Sequence, residues 1–319
     1  MRSRRVIGVD AGGTKLLGGV VGEDLVVHHR VHRLWRGEDL SALLGTMVEA
    51  VEEARRASPE VEAVGFGIPS LMDRRSGQSV TSVHLPLDGV PFGDLMSERL
   101  GLPVVVDNDA NGAVLAEQRF GAARGASDVI LLTLGTGIGG GIVLGGELYR
   151  GSVGAAAELG HMVVDMNGPL CQGACPNRGC LEAVASGTAI GREGAEVARE
   201  DPDSALGRAA LQGVALTGAL VTELAHDGDS AARGVLALVG ERLGVGIANL
   251  VNIFNPEVVV VGGGAAAGGE MLLEPARRVV AERALRPSRD VVRIVSARFG
   301  PESGMLGAAA LALDALDGR

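Results

Sequence analysis

Val6-Ile-Gly-Val-Asp10-Ala-Gly12-Gly13-Thr14-Lys15-Leu-Leu-Gly-Gly-Val-Val21 reads as an apolar run, a glycine turn and a second apolar run. Each run has strand length, and the glycines permit the tight reversal that joins them. The pattern returns at Val129-Ile-Leu-Leu-Thr-Leu-Gly135-Thr136-Gly137-Ile-Gly-Gly-Gly-Ile-Val-Leu144, which overlies the first stretch without a gap at an offset of 123 residues. Gly12 then falls on Gly135 and Gly18 on Gly141, with apolar strand positions matching on both sides. One such element near the start of each half predicts a duplicated α/β chain.

Outward from these stretches, hydrophobic spacing fills in the plan. A third strand is expected around Leu25 to Leu34. A helix should run from about Leu40 to Ala57, with Leu40, Leu43, Leu44, Met47, Val48 and Val51 at helical spacing. Strands follow near Val61 to Gly67 and Pro103 to Val106, separated by a short helix ending near Leu100. A helix is expected to begin at Asn108-Asp109 and reach about Phe120. After the second hairpin come a cysteine-rich loop and a mostly helical region, including a long helix from about Ser230 to Phe254. A strand at Val258 to Val261 leads into Gly262-Gly263-Gly264 and another helix, and a last helix spans about Ser303 to Leu316.

The 319-residue chain is 46% hydrophobic and 21% charged, a globular composition with length enough for two cores. Its net charge of -10 argues against a basic nucleic-acid face. No run approaches about 20 uninterrupted apolar residues, so no membrane span is expected. Met1-Arg-Ser-Arg-Arg5 resembles the basic start of a signal peptide, but Asp10 ends the apolar run where such a segment would continue. The chain therefore reads as cytoplasmic. Lys15 is its only lysine; a bias toward arginine explains the absence of lysine elsewhere but not its survival beside a glycine pair.

Gly135-Thr-Gly137-Ile-Gly-Gly140 formally satisfies the dinucleotide pattern, which needs a helix directly after the turn. Here the turn runs into Gly141-Ile-Val-Leu-Gly-Gly-Glu-Leu-Tyr149, which reads as a second strand. A Walker A loop fails too, because Thr14 precedes Lys15 instead of following it. What remains is a pair of glycine hairpins whose amides can approach phosphate oxygens, with Thr14 and Thr136 adding hydroxyl donors. Asp10 stands where it could hold magnesium, directly or through water. Glycines that simply make tight turns are the alternative for either hairpin alone.

Val104-Val-Val-Asp107-Asn108-Asp109-Ala-Asn-Gly-Ala-Val-Leu-Ala-Glu117 puts polar groups where a strand meets a helix. Asp109 there serves either as a helix N-cap or as a general base for a hydroxyl, and the local sequence favours neither. The cysteines say more. His161, Cys171, Cys175 and Cys180 supply one imidazole and three thiolates within 20 residues, a complete tetrahedral set for structural zinc. Three cysteines also exclude an even disulfide framework. Glu158 and Glu182 flank this loop.

With these residues in hand, the chain resembles the ROK family (repressors, open reading frames, kinases), and within it the bacterial glucokinases. The resemblance covers essentially the whole length. It rests on DAGGTK at Asp10 to Lys15, DNDANGAVLAE at Asp107 to Glu117, LGTGIGGG at Leu134 to Gly141, ELGH at Glu158 to His161 and CQGACPNRGCLE at Cys171 to Glu182. It implies an actin-like, hexokinase-type (ribonuclease H-like) fold of two α/β domains with a cleft between them. The first would span 1–120 plus the C-terminal helix at about 303–319, and the second 121–302, with the zinc loop at 161–180. It further implies ATP-dependent phosphorylation of a hexose 6-hydroxyl, glucose first, by a homodimer or homotetramer that binds neither nucleic acid nor membrane. Asp109 would be the base, and Asn108, Asp109, Glu158, His161 and Glu182 would hold the sugar. Asp10, Gly12, Gly13, Thr14, Lys15, Gly135, Thr136 and Gly137 would cradle ATP with its Mg2+, and Gly263 and Gly264 would lie near the nucleoside. His161 would serve twice, one ring nitrogen on Zn2+ and the other toward the sugar.

Two departures stand out. The family loop usually begins Cys-x-Cys, whereas Gln172-Gly-Ala174 separates the first two cysteines here. Gly65-Phe-Gly-Ile-Pro-Ser70 carries serine where the family often has glycine near the sugar, so no sugar contact is assigned there. Fructose, mannose, N-acetylglucosamine and N-acetylmannosamine remain alternative substrates, and polyphosphate an alternative donor. A sugar-responsive repressor is the rival from another class. Its winged-helix segment would precede the first hairpin, where nine residues stand before Asp10.

Overall fold

The computed structural model describes residues 4–35, 39–72, 78–82 and 85–318. The first three residues of the basic N-terminal stretch thus lie outside the described residues. Continuous apolar runs become central strands, since a strand covered on both faces has no polar face to present. β1 (Arg5–Ala11) and β2 (Lys15–Gly22) form an antiparallel hairpin, and β3 (Val27–Leu34) pairs with the far edge of β2. Leu25, expected in that third strand, instead adopts φ 56° in a turn closed by its amide on the Gly22 carbonyl.

Asp39 caps α1 (Leu40–Ala57) by accepting from the Ala42 amide at 2.9 Å. The helix buries Leu43, Leu44, Met47 and Val51, as its spacing requires. β4 (Ala63–Ile68) lies parallel to β1, followed by a short ladder of β5 (Ser70–Met72) and β6 (Ser79–Ser82). Ser70 is buried there, its hydroxyl bonded to that of Ser79. α2 (Phe92–Leu100) sets Phe92 edge-on to Phe66 at 5.2 Å between ring centroids. β7 (Val104–Asn108) pairs with β4 and runs two residues beyond the expected strand before α3 (Asp109–Phe120) begins.

The second hairpin, β8 (Val129–Leu134) and β9 (Ile138–Leu144), is strand–turn–strand, which removes the dinucleotide reading. The stretch through Tyr149, expected as one strand, breaks in two. Gly145 and Gly146 both take positive φ (60° and 85°), the geometry of a two-residue hairpin loop, and β10 (Glu147–Leu148) returns against β9. Next come α4 (Leu181–Ala185), α5 (Gly187–Glu200), α6 (Ala205–Leu211), α7 (Gly218–His226) and α8 (Ser230–Phe254). β11 (Val258–Gly262), α9 (Glu270–Arg283), α10 (Ser288–Val291), β12 (Arg293–Ser296) and α11 (Ser303–Leu316) complete the chain.

The two sheets have the orders β3-β2-β1-β4-β7 and β10-β9-β8-β11-β12. In each, a hairpin and a third strand antiparallel to its second are followed by two further strands, the first of them parallel to the hairpin's opening strand. The duplication therefore extends from one hairpin to five strands. Two compact units result: Met1–Gly125 with Gly141–Ala157 and Pro301–Arg319, and Ala126–Gly140 with Glu158–Gly300. Among the described residues, α8 is the helix long and apolar enough to cross a membrane by length and composition. It buries Val235, Leu236, Val239, Leu243 and Ile247 inside its own unit, as a core helix does.

α11 lies against the first sheet through missing side chains. A Cβ on Gly65 would sit 1.8 Å from the Ala308 carbonyl oxygen, and one on Gly8 2.1 Å from that of Met305. Gly307 meets Gly112 of α3 in the same way, at 2.1 Å from its carbonyl carbon. Gly65→Ala should therefore cost about 1–3 kcal/mol by overpacking. Gly45→Ala, on α1 with open space around it, should instead gain about 0.5–1 kcal/mol. Denaturant midpoints of the two variants check the contrast.

Candidate active site

In the first unit, the end of β1, the hairpin turn and the start of α3 gather the polar groups. Asn108 is the residue that caps α3: its side-chain oxygen accepts from the amides of Ala110 at 2.9 Å and Asn111 at 3.4 Å. Asp109 is the first helical residue, its Oδ1 accepting from the Ala110 amide at 2.9 Å. The cap expected at Asp109 thus falls to its neighbour Asn108. Gly67 leaves room for this corner, as a Cβ there would stand 3.4 Å from Asp109 Cα.

Asp10 is the next-to-last residue of β1, its carboxylate over Gly304 of α11, where a Cβ would come within 2.5 Å of it. Burial, and then the Asp109 carboxylate, push Asp10 up to about 7, while Lys15 pulls the other way. Two carboxylates and one lysine leave this corner with excess negative charge, which suits a divalent cation held by oxygen ligands. Thr14 and Lys15 stand exposed at the turn, and Gly12 and Gly13 are half-buried.

In the second unit, the Gly135-Thr136-Gly137 turn is held from three sides. The Gly135 amide bonds the Gly137 carbonyl at 2.9 Å, and the Gly187 amide bonds the Gly135 carbonyl at 2.8 Å. The Thr136 carbonyl accepts from Thr188 Oγ1 at 2.8 Å and from Gln172 Nε2 at 3.2 Å. Glu182 accepts the Ile138 amide at 2.9 Å, and its carboxylate fills the space a Cβ on Gly137 would need. Gly263, at φ 85°, lies so close to Leu134 that a Cβ would fall 2.4 Å from its carbonyl oxygen.

Beside this turn opens a cavity of about 980 Å³. Gly135, Thr136, Thr188, Thr217, His226 and Gly264 are among its walls. His226 Nε2 lies 2.9 Å from the Ala267 carbonyl and so ties α7 to the turn after β11. The sequence reading missed Thr188, Thr217 and His226. Its one available signal was Ser186-Gly187 and Thr217-Gly218, each a capping residue before a glycine. A Cβ on Gly218 would meet the Gly187 carbonyl at 2.4 Å, so the two helix starts approach at glycine.

His161, Cys171, Cys175 and Cys180 bring their ligand atoms within 4.8 Å of one another. Cys171 Sγ stands 3.5 Å from His161 Nδ1, and the Cys175 and Cys180 sulfurs are 3.9 Å apart. Tetrahedral bonds of about 2.3 Å to sulfur and 2.0–2.1 Å to nitrogen require about 3.5 and 3.8 Å, so the residues fit zinc. Gly173, at φ 60°, absorbs the longer Cys171–Cys175 spacing. Burial pushes the Cys171 and Cys180 thiols up, whereas the backbone at Asn177 holds Cys175 down. With Nδ1 facing the thiols, His161 turns Nε2 toward Glu158 Oε2, 3.8 Å away. The 3₁₀ turn Leu159–His161 packs on the start of β9, where Gly160 lies against the Ile138 carbonyl.

The ROK family model matches residues 6–315. The chain belongs to the ROK family. A glucokinase from Thermotoga maritima is 37% identical over 320 residues, covering the whole of both chains. A putative xylose repressor from Caldicellulosiruptor sp. is 33% identical, matched over 97% of this chain and 78% of its own. Among solved structures, the ROK family glucokinase from Streptomyces griseus in complex with glucose and AMPPNP superposes with a TM-score of 0.86. It is 36% identical over 97% of this chain and 99% of that one. The paired sheets are thus those of the actin-like, hexokinase-type fold of ROK proteins.

Purified protein should carry about one zinc per chain by metal analysis. Cys175→Ser should lose that zinc and lower the thermal midpoint, because binding to a folded site stabilises the fold.

Proposed function

We propose that this chain transfers the terminal phosphoryl group of ATP to the 6-hydroxyl of a hexose, glucose first, with Asp109 as general base. That it is a sugar kinase follows from its family and its full-length likeness to glucokinases. The observation that carries the base role is the placement of Asp109 on the first turn of α3, with capping left to Asn108. A carboxylate fixed there accepts the hydroxyl proton as the sugar oxygen bonds to the terminal phosphorus. The bond from that phosphorus to the ADP oxygen breaks, and ADP takes up the displaced charge.

Asn108, Glu158, His161 and Glu182 serve as hydroxyl partners in this reading. The Gly12-Gly13-Thr14-Lys15 and Gly135-Thr136-Gly137 turns take the phosphates, and the cavity beside Gly264 takes the nucleoside. Asp10 would hold Mg2+, which neutralises phosphate charge when bound. Zinc on His161 and the three cysteines would be structural, because four protein ligands leave no open position. The reaction would run in the cytoplasm, where both substrates are present. Likeness to a xylose repressor favours a second reading, a sugar-responsive regulator. Salt-sensitive binding to a defined operator, released by sugar, would establish that one.

A coupled ADP-release assay over a panel of hexoses and phosphate donors should give the highest kcat/KM with glucose and ATP. Preference for another hexose or for polyphosphate would reassign the substrates within the sugar kinases. Asp109→Asn should fold and bind sugar yet lose roughly 10²–10⁴-fold in kcat. Near-parental turnover would remove Asp109 from the base role. Lys15→Ala should chiefly raise the KM for ATP; unchanged ATP kinetics would return Lys15 to an accident of composition.

A further inference from the structure

Asp107 carries no role in the readings above, yet its carboxylate accepts three hydrogen bonds two residues from the proposed base. It is buried at 6% exposure at the end of β7. Its Oδ1 accepts the Asn108 amide at 2.8 Å and Asn111 Nδ2 at 2.8 Å. Its Oδ2 accepts Arg150 Nε at 2.7 Å. Asn111 is itself buried and lies one turn into α3. The carboxylate therefore grips the peptide before Asp109 and the helix after it.

Arg150 comes from a distant stretch of sequence, the segment 141–157 that joins the first unit. Its approach has a structural cause. Gly141 of β9 lies against α3, where a Cβ would stand 2.6 Å from the Ala110 carbonyl. The Gly145-Gly146 turn then reverses the chain, and the Tyr149 amide bonds the Ile142 carbonyl at 2.8 Å. The next residue is Arg150. A buried carboxylate left without a cationic partner is strongly disfavoured, and Arg150 supplies that partner to Asp107.

We infer that the Arg150–Asp107 ion pair is a positioning device for the Asn108-Asp109 turn, fixing the carboxylate that takes the sugar proton. The inference rests on Asp109 as base. It adds two residues that act through Asp109 rather than on substrate. Misplacing a reacting group by about 1 Å costs up to about 100-fold, which sets the size of the expected effect.

The test uses the full chain with Arg150→Ala, Arg150→Gln, Asp107→Asn, and the Asp107→Asn/Arg150→Gln double variant, which removes both charges and leaves no unpaired ion. In the folded variants, kcat should fall about 10- to 100-fold while the KM for ATP stays parental. The double variant should lose less than the product of the two single losses, because both act through one bond. Added guanidinium at millimolar concentration should restore part of the Arg150→Ala rate. Parental kcat in the folded double variant overturns the inference. So does a loss in which kcat, ATP binding and thermal midpoint fall together without guanidinium rescue, since that marks a purely structural pair. Asp109→Asn, run alongside, separates the two layers. If it stays active, the base reading fails; if it is inactive while the Arg150 variants match the parent, only the positioning role fails.

Discussion

A helix can press its backbone onto a sheet only where both surfaces lack side chains, and the first unit is organised around that constraint. Gly8 on β1, Gly65 on β4 and Gly112 on α3 all face the backbone of α11, and Gly307 answers from the helix itself. Ordinary residues at these positions would hold α11 off by the thickness of a methyl group or more. The same contact reaches the chemistry. Gly304, at the start of α11, lies directly under the Asp10 carboxylate, and Gly67, one strand over, clears the space beside Asp109. The seat of α11 therefore determines how deeply Asp10 is buried, and burial is the main reason its proton affinity rises toward neutral pH.

Much of this was legible in the sequence because glycine and periodicity carry information locally. Val6–Val21 and Val129–Leu144 each announced a hairpin, and the shared strand order of the two sheets extends that repeat to whole units. The buried face of α1 followed from helical spacing alone. The approach of His161, Cys171, Cys175 and Cys180 was legible because thiolate and imidazole are the ligands zinc prefers, and these four lie within 20 residues. Their unusual spacing proved harmless for a local reason: Gly173 can take positive φ, so two extra residues loop out without moving the sulfurs apart.

What stayed hidden depends on contacts distant in sequence. Nothing near Arg150 points to Asp107, 43 positions away; the pairing exists because Gly141 lets β9 rest on α3. The cavity walls are equally non-local, with Thr188 on α5, Thr217 before α7 and Gly264 after β11. Errors of extent had local causes that spacing does not encode. Tyr149 fell outside the expected strand because a glycine pair reversed the chain. Leu25 left its strand because a non-glycine residue took a left-handed turn that composition does not signal.

The division of labour at Asn108-Asp109 shows why adjacent polar residues should be weighed together. A helix start needs one side chain to accept its first amides, and asparagine and aspartate do this about equally well. If aspartate caps, its lone pairs are committed to amides and its position follows the helix. With asparagine in the cap, the aspartate one residue on inherits a fixed backbone while its side chain projects from the first turn. The Asp109 carboxylate in turn lies close enough to Asp10 to add to the rise in proton affinity that burial begins.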